Sequence, residues 1–298
     1  MNKKWDVTMN LEQINIRDPF VMEYDGSYYM YGTRAEGVWG EMDGFDCYVS
    51  DDCVQWNGPV EVFHKPEGFW AERAYWAPEC YRRNGKFYLI ATLADVEGRK
   101  SVNVLESESP VGPFVYLSRL TDPAQACIDG TLYEEDDKVY LVYSHSLEDV
   151  PEGNMDAVEV SSDLTHAIGN PFTVFRASDA SWSVPVPFAK AEFGIDGPAY
   201  FSDGPFLEKT LQGKLVMLWS SWSEQGYSVG QAVSSDGSIR GQWVHEHKPL
   251  IGQGGHGMLF TGPDGKRYFA MHAQNDHEPE HPRFLEVAES EQGLAMRI

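Results

Sequence analysis

The sequence predicts an all-β fold: a five-bladed β-propeller forming a single domain over residues 1–298. Three observations carry this reading. A hairpin-like phrase recurs five times. The stretch after most copies reads as a second, outer hairpin. Helical periodicity is weak, and 28 Gly and 17 Pro punctuate the chain.

The five copies are IRDPFVMEYDGSYYMYGT (16–33), WAPECYRRNGKFYLIAT (76–92), CIDGTLYEEDDKVYLVYS (127–144), FSDGPFLEKTLQGKLVMLWSS (201–221) and GHGMLFTGPDGKRYFAMH (255–272). Each is an apolar run, a polar turn usually holding Gly or Asp, and an aromatic-rich strand, which is the composition of a β-hairpin. The residues at their heads are Asp18, Ala77 (with Glu79 two further on), Asp129, Asp203 and His256, spaced 52 to 74 residues apart. That spacing suits one four-stranded blade with its loops. Outer hairpins read from 45–63, 100–117, 155–175 and 227–246, and the fifth inner hairpin is followed by the strand RFLEV (283–287). The N-terminal segment around 5–15 is expected to join that last blade and close the ring, because closure removes an exposed sheet edge. The longest insertions are 34–44, 64–75, 145–154, 176–200 and 273–282, and several of these, following inner hairpins, are expected to rim one mouth.

Composition narrows the function. The net charge is −23, from 23 basic and 46 acidic residues, which disfavours nucleic acid and anionic membrane as partners. Nine Trp and fifteen Tyr suit both strands and sugar-stacking surfaces. Cys47, Cys53, Cys80 and Cys127 form no CxxC and no zinc-ligand spacing; Cys47 and Cys53 flank a turn and are close enough in sequence to pair. The N-terminus has no apolar signal region and no apolar run reaches eighteen residues, so the simplest expectation is a cytoplasmic location, with a secreted chain already trimmed of its signal as the alternative.

Hairpins lining one axis bring their heads to one mouth. Three carboxylates gathered there point to chemistry, because like charges repel and a fold has no structural need to collect them. The order RDP, WAPE, IDGTLY, DGPFL with LWSS, and GGHGM resembles the five-bladed propellers of glycoside hydrolase family 43 over essentially the whole chain. The resemblance implies an inverting, arabinofuranosidase- or xylosidase-like enzyme acting on α-L-arabinofuranosyl or β-D-xylosyl oligosaccharides. It implies Asp18 as general base, Asp129 as the aspartate that tunes and orients the acid, and Asp203 as general acid. The chain departs from the family pattern at one of these: the acid there is usually Glu, and here it is Asp203, with Asp196 and Glu192 as the nearest alternatives. Chemically, inversion needs one carboxylate to activate water and one carboxylic acid to protonate the leaving oxygen, about 6.5–9.5 Å apart. Heads on different blades can supply that separation.

Around these, Trp76 and Trp222 are candidate sugar platforms, with Trp39, Trp70 and Trp182 in the insertions. Glu79, His145 and His272 are candidate substrate contacts, and Arg34 and Arg73 are further polar candidates. Glu79 also reads as a structural carboxylate. No cofactor is required; the resemblance implies either a structural calcium or a water cluster on the axis, contacted by His256, any calcium being completed largely by water and carbonyls. Exo action on imported oligosaccharides fits a cytoplasmic enzyme. The rival reading is a carbohydrate-binding propeller impaired in catalysis, motivated by Asp203. WD40 and kelch signatures are absent, the WMNDPNG-like opening of fructosidases is absent, and no basic cluster offers a phosphate site.

Overall fold

The computed structural model describes residues 7–273, 279–290 and 293–297. Its strands form five antiparallel sheets, each built on four strands laid down in chain order from the axis outward, the first with Thr8–Met9 added at its outer edge. Blade 1 runs Ile16–Tyr24, Ser27–Arg34, Gly44–Ser50 and Trp56–His64. Blade 2 runs Arg73–Arg83, Lys86–Ala94, Lys100–Ser107 and Val115–Arg119. Blade 3 runs Cys127–Glu135, Lys138–His145, Asn154–Val160 and Ala167–Arg176. Blade 4 runs Asp203–Lys209, Leu215–Ser223, Gly226–Ser234 and Trp243–His245, with Ile251–Gly252 beside its third strand. Blade 5 runs Gly255–Thr261, Arg267–Ala273, His281–Ser290 and Gly293–Arg297.

Turn chemistry explains the inner hairpins. Asp25-Gly26, Asn84-Gly85 and Asp136-Asp137 all have positive φ at both positions, the two-residue turn whose twist matches the flanking strands. Beyond each turn comes a strand rich in branched and aromatic residues. Lys86–Ala94 is buried at every position after Lys86. Such strands need cover on both faces, and stacking blade on blade provides it.

The core is accordingly divided among the blade interfaces. Tyr31, Phe45, Tyr75 and Leu89 sit between blades 1 and 2, and Ile90, Val102, Leu141 and Val158 between blades 2 and 3. Val142, Phe175, Met217 and Trp219 join blades 3 and 4. Leu218, Val229, Phe269 and Met271 join blades 4 and 5, and Ile16, Met30, Met258 and Ala270 join blade 5 to blade 1. A sixth cluster lies under the 176–200 insertion, where Leu147, Val186, Ala189 and Ala199 are covered by Phe188, Phe193, Phe201 and Trp222.

Ring closure differs from the expectation. The N-terminal strand Thr8–Met9 pairs with Trp56 and Asn57, the outermost strand of blade 1. It does not enter blade 5, because the C-terminal strand Gly293–Arg297 already fills the place beside His281–Ser290. Side chains and loops close the ring instead. The Glu280 N–H donates to Asn15 Oδ1 (2.9 Å), His281 Nδ1 donates to the Ile14 carbonyl (2.7 Å), and Arg17 Nη1 pairs with Glu280 Oε1 (3.0 Å). The four cysteines are free thiols, so Cys47 and Cys53 are not paired. Among the described residues no helix is long and apolar enough to cross a membrane.

Candidate active site

Each innermost strand carries a one-residue bulge near its start, and the bulged residue has left-handed backbone: Asp18 (φ 53°), Ala77 (46°), Asp129 (56°), Gly204 (50°) and His256 (49°). Non-glycine residues there are strained, and such strain concentrates at functional sites. The register corrects one expectation. Asp203 is not the fourth-blade head; Gly204 is. Asp203 stands one residue earlier, equivalent to Arg17, Trp76 and Ile128, which all line the same cavity. Glycine is required at 204 because a Cβ would fall 2.6 Å from the His256 ring.

A relay of hydrogen bonds ties the heads together. The residue opposite each bulge accepts the N–H of the next blade's head. Thr33 Oγ1 accepts from Ala77 (2.7 Å), Thr92 Oγ1 from Asp129 (2.9 Å), Ser220 Oγ from His256 (2.8 Å) and His272 Nδ1 from Asp18 (3.2 Å). Only between blades 3 and 4 does the pattern change. Ser144 meets Ser202, and Asp129 Oδ2 itself accepts the Gly204 N–H at 3.4 Å.

This backbone ring holds Asp18, Asp129, Asp203 and His256 on the floor of a cavity of about 770 Å³, a size typical of small-ligand sites. His256 Nδ1 is 3.3 Å from Asp18 Oδ1 and 3.6 Å from Asp129 Oδ2. Thr33 donates to Asp18 Oδ2 at 2.6 Å, and the Tyr227 hydroxyl donates to Asp203 Oδ2 at 3.3 Å.

The carboxylates are pushed in opposite directions. Burial opposes the charge on Asp18, but His256, His272 and Arg17 outweigh it and hold this carboxyl well below the usual range. His256 and Arg17 carry this effect, since the lone pair of His272 Nδ1 is taken by the Asp18 backbone N–H. Asp203 keeps some surface open to the cavity yet is enclosed by protein. That burial, then the neighbouring Asp129, pushes it up to about 7. Burial followed by repulsion from Asp18 pushes Asp129 up to about 7. One anionic group thus faces two that hold protons into the neutral range, the separation that acid–base pairs require.

A protein-family model, "Glycosyl hydrolases family 43", matches residues 12–286. The chain belongs to glycosyl hydrolase family 43. Among solved structures it is similar to one described as an endo-arabinase from Bacteroides thetaiotaomicron, with TM-score 0.86 and 28% identity over 97% of this chain and 99% of that one. A curated beta-xylosidase of Xylanibacter ruminicola is 26% identical over 42% of this chain and 43% of its own length. A curated xylosidase/arabinosidase of Bacteroides ovatus is 27% identical over 42% of each chain. The chain spans less than half the length of these two relatives.

Within this family 43 propeller, four of the five expected insertions supply cavity walls, through Val38 and Trp39, Ser146 and Glu148, Phe188, Glu192 and Phe193, and Glu280. Trp76 and Trp222 also line it. Trp39 is 72% exposed, packs edge-on against Trp76 (5.5 Å) and lies over the Arg17 guanidinium (5.4 Å). Phe188 packs edge-on against Trp222.

Three expected sugar contacts lie elsewhere. Glu79 sits past its bulge, buried between blades, where Tyr81 donates to it and Tyr81 also meets Thr131. Burial pushes its carboxyl up to about 8. His145 is held by Asp156 (3.1 Å) and Asp149 (3.2 Å), so it anchors the 145–154 loop. His272 has 0% exposure and serves the relay where other blades use Thr or Ser. Trp70 packs on Phe69, Tyr116 and Arg119, and Trp182 is buried against Trp219. Arg34 pairs with Asp43, Asp46 and Glu61 outside the cavity, and Arg73 is exposed at the start of blade 2. Asp196 is paired with Lys190 on the surface, whereas Glu192 stands at the cavity wall.

The residues present do not form a side-chain calcium cage. Among the described residues no group of three or more His, Cys, Asp or Glu is arranged to hold a metal, and His256 Nδ1 faces two carboxylates. The calcium expected at His256 is reached through water and is a different kind of site from such a cage.

Arg17, Tyr227, Glu280 and the Lys100–Glu148 pair (2.6 Å) line the cavity and were not singled out from sequence. Arg17 had a signal: it precedes Asp18 as Asp203 precedes Gly204.

Proposed function

We propose that the chain is a glycoside hydrolase that removes α-L-arabinofuranosyl or β-D-xylosyl units from oligosaccharides, exo-acting and with inversion. The observation that supports it most is the electrostatic asymmetry on the cavity floor: Asp18 held ionised beside Asp129 and Asp203, both pushed up to about 7. In this reading Asp18 takes a proton from water, and that water's oxygen attacks the anomeric carbon from the far side. As the glycosidic bond breaks, Asp203 gives its proton to the departing oxygen. Asp129 repels charge on Asp203 and so keeps it protonated. Exchange with solvent then resets both groups.

Support for the sugar class comes from the family and from the relatives named for xylose and arabinose chemistry. Support for exo action is the cavity walled by four insertions, with Trp39 and Trp76 on one side and Phe188 and Trp222 on another. The test is a panel of aryl arabinofuranosides, xylosides, galactosides and fucosides with Asp18→Asn as control, followed by arabinan and xylan. The proposal requires hydrolysis of a pentoside, lost in the variant, with single sugars as first products. Mixed oligomers would show endo action.

One observation favours a second reading. Asp203 stands where the family pattern has Glu, so a sugar-binding propeller impaired in catalysis is the rival. Binding of oligosaccharide without turnover of any glycoside in the panel would establish it.

A further inference from the structure

An aspartate at 203 is one methylene shorter than glutamate, about 1.5 Å of lost reach, and placement at that scale governs proton transfer. Tyr227, on the third strand of blade 4, donates a side-chain hydrogen bond to Asp203 in the cavity. We propose that Tyr227 is a positioning residue that fixes the Asp203 carboxyl for proton donation. This rests on the reading of Asp203 as the acid.

Tyr227 is built for one orientation. Its ring is stacked on His272, with centroids 5.7 Å apart and planes at 22°. On another side it lies against Gly255, where a Cβ would come within 2.5 Å of Cε1. Glycine at 255 therefore makes room for the ring, and His272, locked by the Asp18 N–H, gives it a rigid backing. The residue is 5% exposed, lines the cavity, and donates its hydroxyl to Asp203 Oδ2. Burial and then Asp203 push its phenol well above the usual range, so it stays a donor throughout the working pH range.

A donor on Oδ2 has two consequences. It leaves Oδ1 to carry the acid's proton toward the glycosidic oxygen. It also bonds more strongly to the carboxylate than to the acid, so it lowers the Asp203 pKa and eases proton release. The other groups facing Asp203 are Asp129 from blade 3, Asp18 and Arg17 from blade 1, and His256 from blade 5. Asp129 and Asp18 push Asp203 up while His256 lowers it, so Tyr227 acts against the two carboxylates.

The experiment compares pH–rate profiles of wild type, Tyr227→Phe and Asp203→Asn on aryl glycosides with poor and good leaving groups. Tyr227→Phe keeps the ring and its stacking; a thermal melt checks folding. The expected result is an alkaline limb moved up by roughly half to one pH unit, with kcat reduced about 10-fold or more on poor leaving groups and much less on dinitrophenyl glycosides. An unmoved limb with equal loss on both substrates overturns the proposal and leaves Tyr227 a packing residue. Asp203→Asn separates the two claims. If its alkaline limb persists, the acid lies elsewhere and the underlying reading falls. If the limb vanishes in Asp203→Asn yet stays in place in Tyr227→Phe, only the role of Tyr227 falls.

Discussion

Thr33 and Asp18 face one another across the inner hairpin of blade 1, and Thr33 Oγ1 both donates to Asp18 Oδ2 and accepts the Ala77 N–H of blade 2. One hydroxyl thus orients a proposed catalytic carboxylate and joins two blades. Thr33→Val keeps the shape but leaves a buried N–H without its acceptor, a cost of about 1–3 kcal/mol. Denaturant melts should register that loss together with a fall in turnover, and Thr33→Ser should restore both. Stability unchanged in Thr33→Val would show that the relay is incidental.

Asp18→Asn preserves volume but removes the proton acceptor. Turnover should fall by about 100-fold or more in a variant that still melts cooperatively, with some loss of stability because the Asp18 charge is paired in the fold. Full activity in the folded variant would reduce Asp18 to a turn residue.

The pH profile follows from the opposed shifts. Asp18 is held ionised well below the usual range, whereas Asp203 and Asp129 sit near 7 as a coupled pair. Activity should decline above about pH 7, where the acid loses its proton, and hold as the pH falls through the ordinary carboxylate range. Asp129→Asn removes a like charge and should move the alkaline limb to lower pH. A limb moving upward would contradict the assigned role of Asp129.

Glu79 makes stability depend on pH in a known sense. Its folded value is raised to about 8 by burial, above an ordinary glutamate near about 4.3. The folded state therefore keeps a proton that the unfolded chain has released. This stabilises the fold most below about pH 4.3, and the benefit is lost as pH rises to about 8. The melting temperature should drop between pH 5.5 and 8.5, and Glu79→Gln should make the drop shallower, leaving the part due to Asp129 and Asp203, whose carboxyls are also raised. An identical slope in the variant would mean that Glu79 is already ionised in the fold.

Trp39 is exposed beside Trp76 and over Arg17, as a platform for the sugar beyond the scissile bond would be. Trp39→Ala should raise KM for oligosaccharides several-fold and leave simple aryl glycosides little changed. Equal effects on both would place Trp39 outside substrate contact.

The blades were legible in the sequence because each needs its own inner hairpin, and turns such as Asp25-Gly26 and Asn84-Gly85 mark it locally. Asp18, Asp129 and His256 were legible for the same reason. The one-residue offset that puts Gly204, and not Asp203, at the fourth bulge depends on backbone register, which composition does not encode. Arg17, Tyr227 and Glu280 meet only when the ring closes across more than 200 residues of chain. The destination of the N-terminal strand was likewise decided by competition: Gly293–Arg297 occupies the place it was expected to take. Histidine in the relay misled for a different reason. His272 does the work of a threonine hydroxyl, and nothing local distinguishes that use from contact with sugar.

The central claim is that a water activated by Asp18 displaces a leaving group protonated by Asp203 from the opposite face of the sugar. The anomeric configuration of the first sugar released tests it most directly. Proton NMR during the first minutes of aryl pentoside hydrolysis, before mutarotation, should show the inverted anomer. Release of the retained anomer would mean a covalent intermediate on the enzyme and would contradict the account.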